Sequence, residues 1–426
     1  MSIKMILVRD IVFYRMYRQW KKLAKNVVKQ SHPKPDTPLL VIVPCDPWSV
    51  GGSRGDEAML TSVIHSYRQK YPEIPIHIVC AEEGLKYVRN LPIKGIAPIP
   101  SWNGNYSTRQ VYESILAVNP TDVVLLGADC MDGFYSPTLS LELLSLHDLC
   151  SKTQNLRSRL LGFSFNEKPS WLMVQAFRSL TPDTRILIRD DVSYSRYLKR
   201  VNRPARLVAD AAFMLQPEAG FPLYDEISQW VDLQRSEGKT IIGLNFHPML
   251  RAYSGPEDIK SDALLFAKNV EKILTKHNDL CFVFIPHDGR SRLTDNLMLS
   301  TMYDYLKGSM TGDSRVFYSP DVPRAPQLKA ICGLLDGLIS SRMHLAIAAL
   351  GMGVPVMAAT YQGKFEGLFH HFDLDETFLL DPKRFLSDEM VSVFDTFIAK
   401  LPELKQLISD RLPSVQDLSN ANLRNE

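Results

Sequence analysis

The sequence predicts an α/β protein built from two Rossmann-like domains facing a cleft. Two observations carry this. At 426 residues the chain exceeds one typical domain. Apolar runs of strand length also alternate with helical patterns twice over, with a Pro/Gly-rich break between the two series. Composition excludes several classes. With 45% hydrophobic and 23% charged residues the chain is globular, and a net charge of +2 gives no global case for nucleic-acid binding. Six cysteines (Cys45, Cys80, Cys130, Cys150, Cys281, Cys332) form no CxxC pair and have no histidine spacing suited to zinc. Several adjoin apolar runs, as buried thiols in a reducing compartment do. There is no secretory signal and no run near the ~18 apolar residues of a spanning helix, so the expected location is cytoplasmic.

Residues 1–37 form a basic segment and linker. Residues 1–34 hold nine Lys/Arg against one acid, Asp10, with Ile3, Leu7, Tyr14, Tyr17, Trp20, Ala24 and Val27 near helical spacing. Such a helix can lie on an anionic membrane surface, here the inner face, or pack its apolar stripe on the protein body. His32-Pro33-Lys34-Pro35 ends it.

The first domain, 38–215, opens with a continuous apolar strand at 39–43, a Gly-rich turn (Gly51-Gly52-Ser53-Arg54-Gly55) and a helix starting near Asp56. Further strands are expected at 74–80, 122–127, 159–163 and 185–188, with helices around 57–70, 139–151 and 170–180. Residues 216–240 read as a linker containing a polar helix. The second domain, 241–384, has strands at 241–246, 281–286, 316–318, 334–340 and 354–358, with helices over 260–275 and 294–306. Residues 385–409 make a capped helical pair, and the polar tail after Pro413 is expected to be loose.

In open α/β sheets ligands bind beyond the carboxyl ends of the strands, so polar residues at those positions are the candidates. The turn at 52–57 can cradle an anion at a helix start, although it is neither G-x-G-x-x-G nor a P-loop; its glycines serve a plain βα turn equally well. Arg189, in Ile188-Arg189-Asp190-Asp191, can fork a carboxylate or phosphate, or simply pair with an aspartate. His247 and His287 each follow a strand of the second domain. Most telling is Ser341-Arg342-Met343-His344. Ser341 is placed to cap a helix, and Arg342 and His344 lie on its first turn. Lys364 follows the next strand, after Tyr361. That gathers a donor fork, a proton carrier and a point charge around one anion.

These pieces in this order resemble the polysaccharide pyruvyl transferases. The matching pieces are Gly52-Ser53-Arg54-Gly55-Asp56-Glu57, the strand end Asp122 to Gly127, Arg189-Asp190-Asp191-Val192-Ser193 and Asp210-Ala211-Ala212-Phe213. The most specific are Ser341-Arg342-Met343-His344, Gly353-Val354-Pro355-Val356 and Tyr361-Gln362-Gly363-Lys364. Ser53 replaces the usual Asn, and Ala128-Asp129 replaces a second and third glycine. The resemblance implies a GT-B type fold and transfer of the enolpyruvyl carbons of phosphoenolpyruvate onto two sugar hydroxyls as a pyruvate ketal. The acceptor would be a sugar or oligosaccharide, lipid-linked or not, on the side of the first domain. Phosphoenolpyruvate would be a co-substrate on the side of the second, with no cofactor and no metal. It places Arg189, Arg342 and Lys364 on phosphoenolpyruvate, and His344 as the group that acts on it. Ser341, Met343, Gly55, His247 and His287 complete the expected binding set. An imidazole titrating near ~6.5 suits protonation of the methylene carbon, and Asp56 and Asp190 are the candidate bases. Two other readings fit the same layout. One is a GT-B glycosyltransferase using a nucleotide sugar; the other is a non-catalytic protein that binds an anionic glycan or lipid carrier.

Overall fold

The computed structural model describes residues 3–27, 33–248, 255–288, 295–360 and 363–424, with side chains from residue 8 onward. The described chain falls into two compact units. One comprises Met1–Gly52, Met59–Met214 and Asp417–Glu426; the other comprises Ser53–Ala58 and Leu215–Gln416. His32, expected in the first linker, and Tyr361, expected beside Lys364, lie outside the described residues.

In the first unit, α1 (Ile3–Val27) precedes β1 (Leu40–Val43), α2 (Arg54–Lys70, of which the residues from Met59 onward belong here), β2 (Ile76–Cys80), α3 (Leu85–Arg89) and β3 (Ile96–Pro100). Then come α4 (Thr108–Ala117), β4 (Asp122–Leu125), α5 (Pro137–Lys152), β5 (Arg157–Leu160) and α6 (Trp171–Arg178). The series closes with β6 (Leu187–Ile188), α7 (Asp191–Val201) and β7 (Arg206–Leu207). The sheet is parallel in the order β3-β2-β1-β4-β5, and β6 and β7 pair separately. All four residues of β1 and of β4 are buried, as strands covered on both faces must be. The strand expected at 185–188 therefore stands outside the main sheet, joined to the chain beyond β5 by a single bridge, Phe163–Ile188. Two elements, β3 and α4, have no clear signal in the sequence. Pro98 and Pro100 argue against a strand, and β3 tolerates them because it is an edge. Ala128, where the related pattern has glycine, adopts φ 47°, a left-handed conformation that costs a Cβ-bearing residue about 1–2 kcal/mol.

The first helix packs on the protein body. Phe13, Met16, Trp20, Leu23, Ala24 and Val27 are buried and face α5. Trp20, fully buried, donates Nε1–H to Asp148 at 2.9 Å, and Asp148 also pairs with Lys152 at 3.2 Å. Tyr14, expected on this stripe, is instead about half exposed, together with Val8 and Ile11.

In the second unit, α8 (Pro222–Ser236), β8 (Thr240–Asn245), α9 (Pro256–Lys276), β9 (Leu280–Phe284), α10 (Asp295–Ser309) and β10 (Val316–Tyr318) follow one another. Next are α11 (Ala325–Cys332), β11 (Gly337–Ser340), α12 (Met343–Leu350), β12 (Val356–Ala359) and α13 (Lys364–His370). Then come β13 (Leu379–Leu380), α14 (Pro382–Phe385), α15 (Glu389–Ala399) and α16 (Leu401–Asn420). Its sheet is parallel in the order β10-β9-β8-β11-β12-β13. Two sequence expectations are corrected. Residues 216–240 are no free linker: Ile227, Val231 and Gln234 of α8 are buried, and Gln234 accepts from the Cys281 thiol at 2.9 Å. The tail after Pro413 is helical, since α16 runs through that proline. Its last residues belong to the first unit, where Ser419 donates to the Asp210 carbonyl at 2.7 Å. Asn422 there takes the Gly162 N–H at 2.7 Å and donates to the Ala209 carbonyl at 2.8 Å. Polar side chains there fasten backbone, which composition alone cannot distinguish from solvation. No helix of the described residues is long and apolar enough to cross a membrane.

Replacing Trp20 with alanine removes a large buried ring and leaves the Asp148 carboxylate short of a donor. Stability to urea should fall by about 3–5 kcal/mol; a loss below about 1 kcal/mol would show that α1 is not part of the packed body.

Candidate functional site

The carboxyl ends of β9, β8 and β11, three neighbouring strands, deliver His287, His247 and Arg342 to one place in the second unit. What joins them is a residue the sequence reading missed, Asp295, the first residue of α10 and fully buried. Arg342 donates Nη2–H to Asp295 at 2.7 Å and Nε–H at 3.3 Å. Asn245 donates to the same carboxylate at 2.9 Å and the His287 main-chain N–H at 3.0 Å, while His247 Nδ1 stands 3.4 Å away. The anion that Arg342 was expected to meet is thus first of all an internal one. Its Nη1 reaches toward Asp288 at 3.4 Å, a long contact. Nothing in the local sequence marks Asp295, because an aspartate opening a helix reads as an ordinary dipole or capping residue.

Burial opposes a charge on Asp295, but Arg342 and His247 outweigh it and hold the carboxyl well below the usual range. Burial, reinforced by the Arg342 charge, pushes His287 down to about 3. Burial likewise lowers His247. Both rings are therefore neutral near pH 7.

Ser341 is fully buried, and its Oγ accepts the His247 main-chain N–H at 2.6 Å. It does not cap α12: the capping position is Arg342, whose N–H is taken by Ser340 Oγ at 3.0 Å. Met343 and His344 open the helix and are half-buried. The turn at 52–57 meets His344 directly, and residues Ser53–Ala58 belong to this unit, not to the first domain where the sequence reading put them. A Cβ on Gly55 would overlap the imidazole, standing 2.8 Å from Cε1 and Cγ. Glycine is required there because the ring lies on the N-terminus of α2. Ser53 caps that helix, its Oγ accepting the Asp56 N–H at 3.0 Å and its carbonyl the Glu57 N–H at 3.0 Å. Serine thus supplies a helix cap, for which asparagine is equally suited. Glu57 is buried, which raises its pKa; it accepts from Arg54 at 2.9 Å and from the Ala325 N–H at 3.1 Å, fixing the turn. Lys364 opens α13 after β12, the strand beside β11, and is buried.

The remaining candidates are Arg189, Asp190 and Asp56. Arg189 belongs to the first unit, where it is buried and donates to Asp210 and Ser164, both at 2.8 Å. The sequence expectation of an aspartate partner thus holds, with the pair buried and not on the surface. Asp190 caps α7, accepting the Ser193 N–H at 2.6 Å and its hydroxyl at 2.8 Å. A carboxylate so used is a poor base. Asp56, half-buried and next to Gly55, is the better placed of the two.

The sequence matches the polysaccharide pyruvyl transferase family over residues 54–363. The chain belongs to that family. No curated protein sequence matches it significantly. Among solved structures it is similar to a protein described as a UDP-N-acetylglucosamine 2-epimerase from Listeria monocytogenes, at TM-score 0.55 and 16% identity, covering 90% of this chain and 94% of that one. It is also similar to S. aureus MnaA solved with UDP, at TM-score 0.53 and 11% identity, covering 88% and 91%. The trehalose-6-phosphate synthase OtsA gives TM-score 0.54 at 12% identity, covering 90% and 97%. At such identities these likenesses speak for the fold alone, the GT-B arrangement of two Rossmann-like domains.

The buried histidines make acid stability a test of this site. His287 binds no proton in the folded state until about pH 3, whereas in the unfolded chain it does so below ~6.5. Its contribution is therefore present above pH 6.5 and is lost as pH falls toward 3. The melting temperature should drop on acidification from pH 7 to 4, and His287→Gln should flatten that slope. An unchanged slope would contradict the buried neutral imidazole.

Proposed function

We propose that this member of the family transfers the pyruvyl group of phosphoenolpyruvate onto two hydroxyls of a sugar in a cell-surface or exopolysaccharide precursor. The product is a pyruvate ketal, with phosphate released. The observation that carries this is the packing of His344 on Gly55. It brings a proton carrier onto the N-terminus of a 17-residue helix, where backbone N–H groups suit phosphate or carboxylate oxygens.

In this reading His344 delivers a proton to the methylene carbon, and the central carbon becomes cationic. A sugar hydroxyl attacks it and loses its proton to a base, for which Asp56 is the candidate. The carbon–oxygen bond to phosphate breaks, and the second hydroxyl adds and loses its proton to close the ketal. Arg342 and Lys364 would hold the carboxylate and phosphate. The Arg342 charge is already shared with Asp288 and Asp295. The extra negative charge of phosphoenolpyruvate then falls to the helix N-termini and to a protonated His344, so binding should be linked to proton uptake.

The test is a donor screen with acceptor-dependent phosphate release. Phosphoenolpyruvate should bind more tightly at pH 6 than at pH 8. His344→Ala should retain binding, lose that pH dependence and slow turnover by roughly 10²–10⁴-fold. Arg342→Lys, which keeps a charge against Asp295, should weaken binding; Arg342→Ala would instead destabilise the unit by about 3–5 kcal/mol. Binding of a nucleotide sugar with indifference to phosphoenolpyruvate would favour the glycosyltransferase reading. Binding of glycan without turnover of either donor would favour a carrier protein.

We also infer that the protein works against the inner face of a membrane. Val8, Ile11 and Tyr14 on one side of α1 are 54%, 52% and 49% exposed, Trp171 is 53% exposed, and the Tyr14 and Trp171 rings lie 6.3 Å apart. Nine Lys/Arg among residues 1–34 supply the matching charge for anionic headgroups. The protein should sediment with phosphatidylglycerol vesicles and not with phosphatidylcholine, and a Tyr14→Ala/Trp171→Ala variant should stay in the supernatant. Equal sedimentation of variant and parent would reject this face as the contact.

A further inference from the structure

The strand order β3-β2-β1-β4-β5 puts a topological switch point between β1 and β4, since β2 lies on one side of β1 and β4 on the other. Open α/β sheets take their ligands beyond the carboxyl ends of the strands at such a point. The two strands end level, Val43 beside Leu125. The loop after β1 carries Trp48 and the loop after β4 carries Phe134 and Tyr135, and all three side chains are exposed. Phe134 and Tyr135 lie edge to face, with ring centroids 5.2 Å apart. Trp48 stands edge to face on the buried Trp102, which follows β3, at 6.2 Å.

Both loops are fastened from within. Asp46 accepts the Trp48 N–H at 3.0 Å and the Ser49 N–H at 3.3 Å, and the Pro47 carbonyl takes the Ala81 N–H at 2.9 Å. Asp132, fully buried, accepts the Phe134 N–H at 2.9 Å and the main-chain and side-chain N–H groups of Asn166 at 2.7 and 2.6 Å. Between Asp132 and Phe134 only glycine fits: Gly133 has φ 76°, and a Cβ there would stand 2.7 Å from Met173 Cγ. Rings held in water on fixed loops forgo burial without keeping their freedom, the arrangement of a preorganised binding surface. A second observation points to a ligand. Ser101 Oγ and Trp102 Nε1, in residues almost fully buried, have no hydrogen-bond partner among the described residues. Such orphans are rare and call for a polar group from outside the chain.

We propose that this edge binds a neutral oligosaccharide, with Trp48 and the Phe134–Tyr135 pair each stacking on the apolar face of a pyranose ring. The C–H hydrogens of that face are slightly positive and meet the negative face of an aromatic ring. Charge decides for a neutral ligand. The charged residues on loops 44–52 and 126–136 are Asp46, Asp129 and Asp132, and loop 101–107 has none. Carboxylates accept hydrogen bonds from sugar hydroxyls and repel phosphate, which tells against a nucleotide and against an anionic lipid surface. Asp129, half-buried beside the ring pair, already takes the Tyr135 hydroxyl at 3.3 Å. Two stacking places imply more than one sugar unit. That this oligosaccharide is the acceptor rests on the pyruvyl-transfer reading; its binding does not.

Saturation-transfer NMR and titration calorimetry on the full chain test it, with cellobiose, lactose, maltose and mannobiose as probes beside the matching methyl monosaccharides. At least one disaccharide should bind, roughly fivefold or more tightly than its methyl monosaccharide, with saturation strongest on the ring C–H protons. Phe134→Ala/Tyr135→Ala and Trp48→Ala should each weaken it by roughly tenfold, with the circular dichroism spectrum unchanged. Trp48→Phe, which keeps a ring, should keep most of the affinity. Failure of all four disaccharides to bind overturns the proposal, as does parental affinity in either alanine variant. So does a preference for UDP, or binding to phosphatidylglycerol vesicles that is lost in Phe134→Ala/Tyr135→Ala. The two readings fail separately. An unchanged acceptor KM in the alanine variants of an active enzyme overturns the platform alone. Sugar binding that those variants lose, in a protein indifferent to phosphoenolpyruvate, upholds the platform and removes only pyruvyl transfer.

Discussion

The contact between Asp295 and Arg342 is the constraint on which the candidate site depends. A fully buried carboxylate is tolerable only if nearly every lone pair is met. Here Arg342, Asn245, the His287 backbone and His247 meet it together. Those groups come from the ends of β11, β8 and β9, so one charge registers three loops against each other. The guanidinium cannot drift without stranding the carboxylate, and His344, two residues on, inherits that fixed position. In the proposed reaction, preorganisation of this kind would hold the imidazole within the narrow range that proton transfer requires.

The first unit repeats the device at two places. Asp122 is buried under Arg157, Arg159 and Tyr67, and Asp210 under Arg189. Asp210 is tied further, since Ser419 of the C-terminal helix takes its carbonyl. An Arg-Asp pair in sequence therefore carried two meanings in this chain. Arg189 serves a buried pair within one unit, while Arg342 is both pair and candidate ligand group. Spacing could not separate them, because each arginine finds its aspartate far along the chain, twenty-one residues away in one case and forty-seven in the other.

Departures from the family pattern acquire physical content in the structure. Ser53, where the pattern has asparagine, caps α2 through its side-chain oxygen, a task for which both residue types are suited. Ala128 for glycine carries a cost, since its backbone keeps the left-handed conformation that glycine would adopt without strain. The charge of α1 was legible, but its partner was not. An apolar stripe is equally suited to lipid and to a protein face, and only Trp20 seated on Asp148 assigns the stripe to the body, leaving the Val8–Ile11–Tyr14 side outward.

The sequence by itself determined the two α/β series, their parallel strands and the placing of Arg342, His344, His247, His287 and Lys364 at strand ends. Those follow from local periodicity, and from the rule that loops after parallel strands carry polar side chains to one edge. Tertiary structure decided what is not local. It made Asp295 the centre of the site, put Gly55 against His344, turned the 216–240 segment into part of the second unit and the polar tail into a fastener of the first. Each of these is a pairing of residues distant in the chain. Such pairings are set by which buried charge or backbone group must be satisfied, a condition that exists only once the chain has folded.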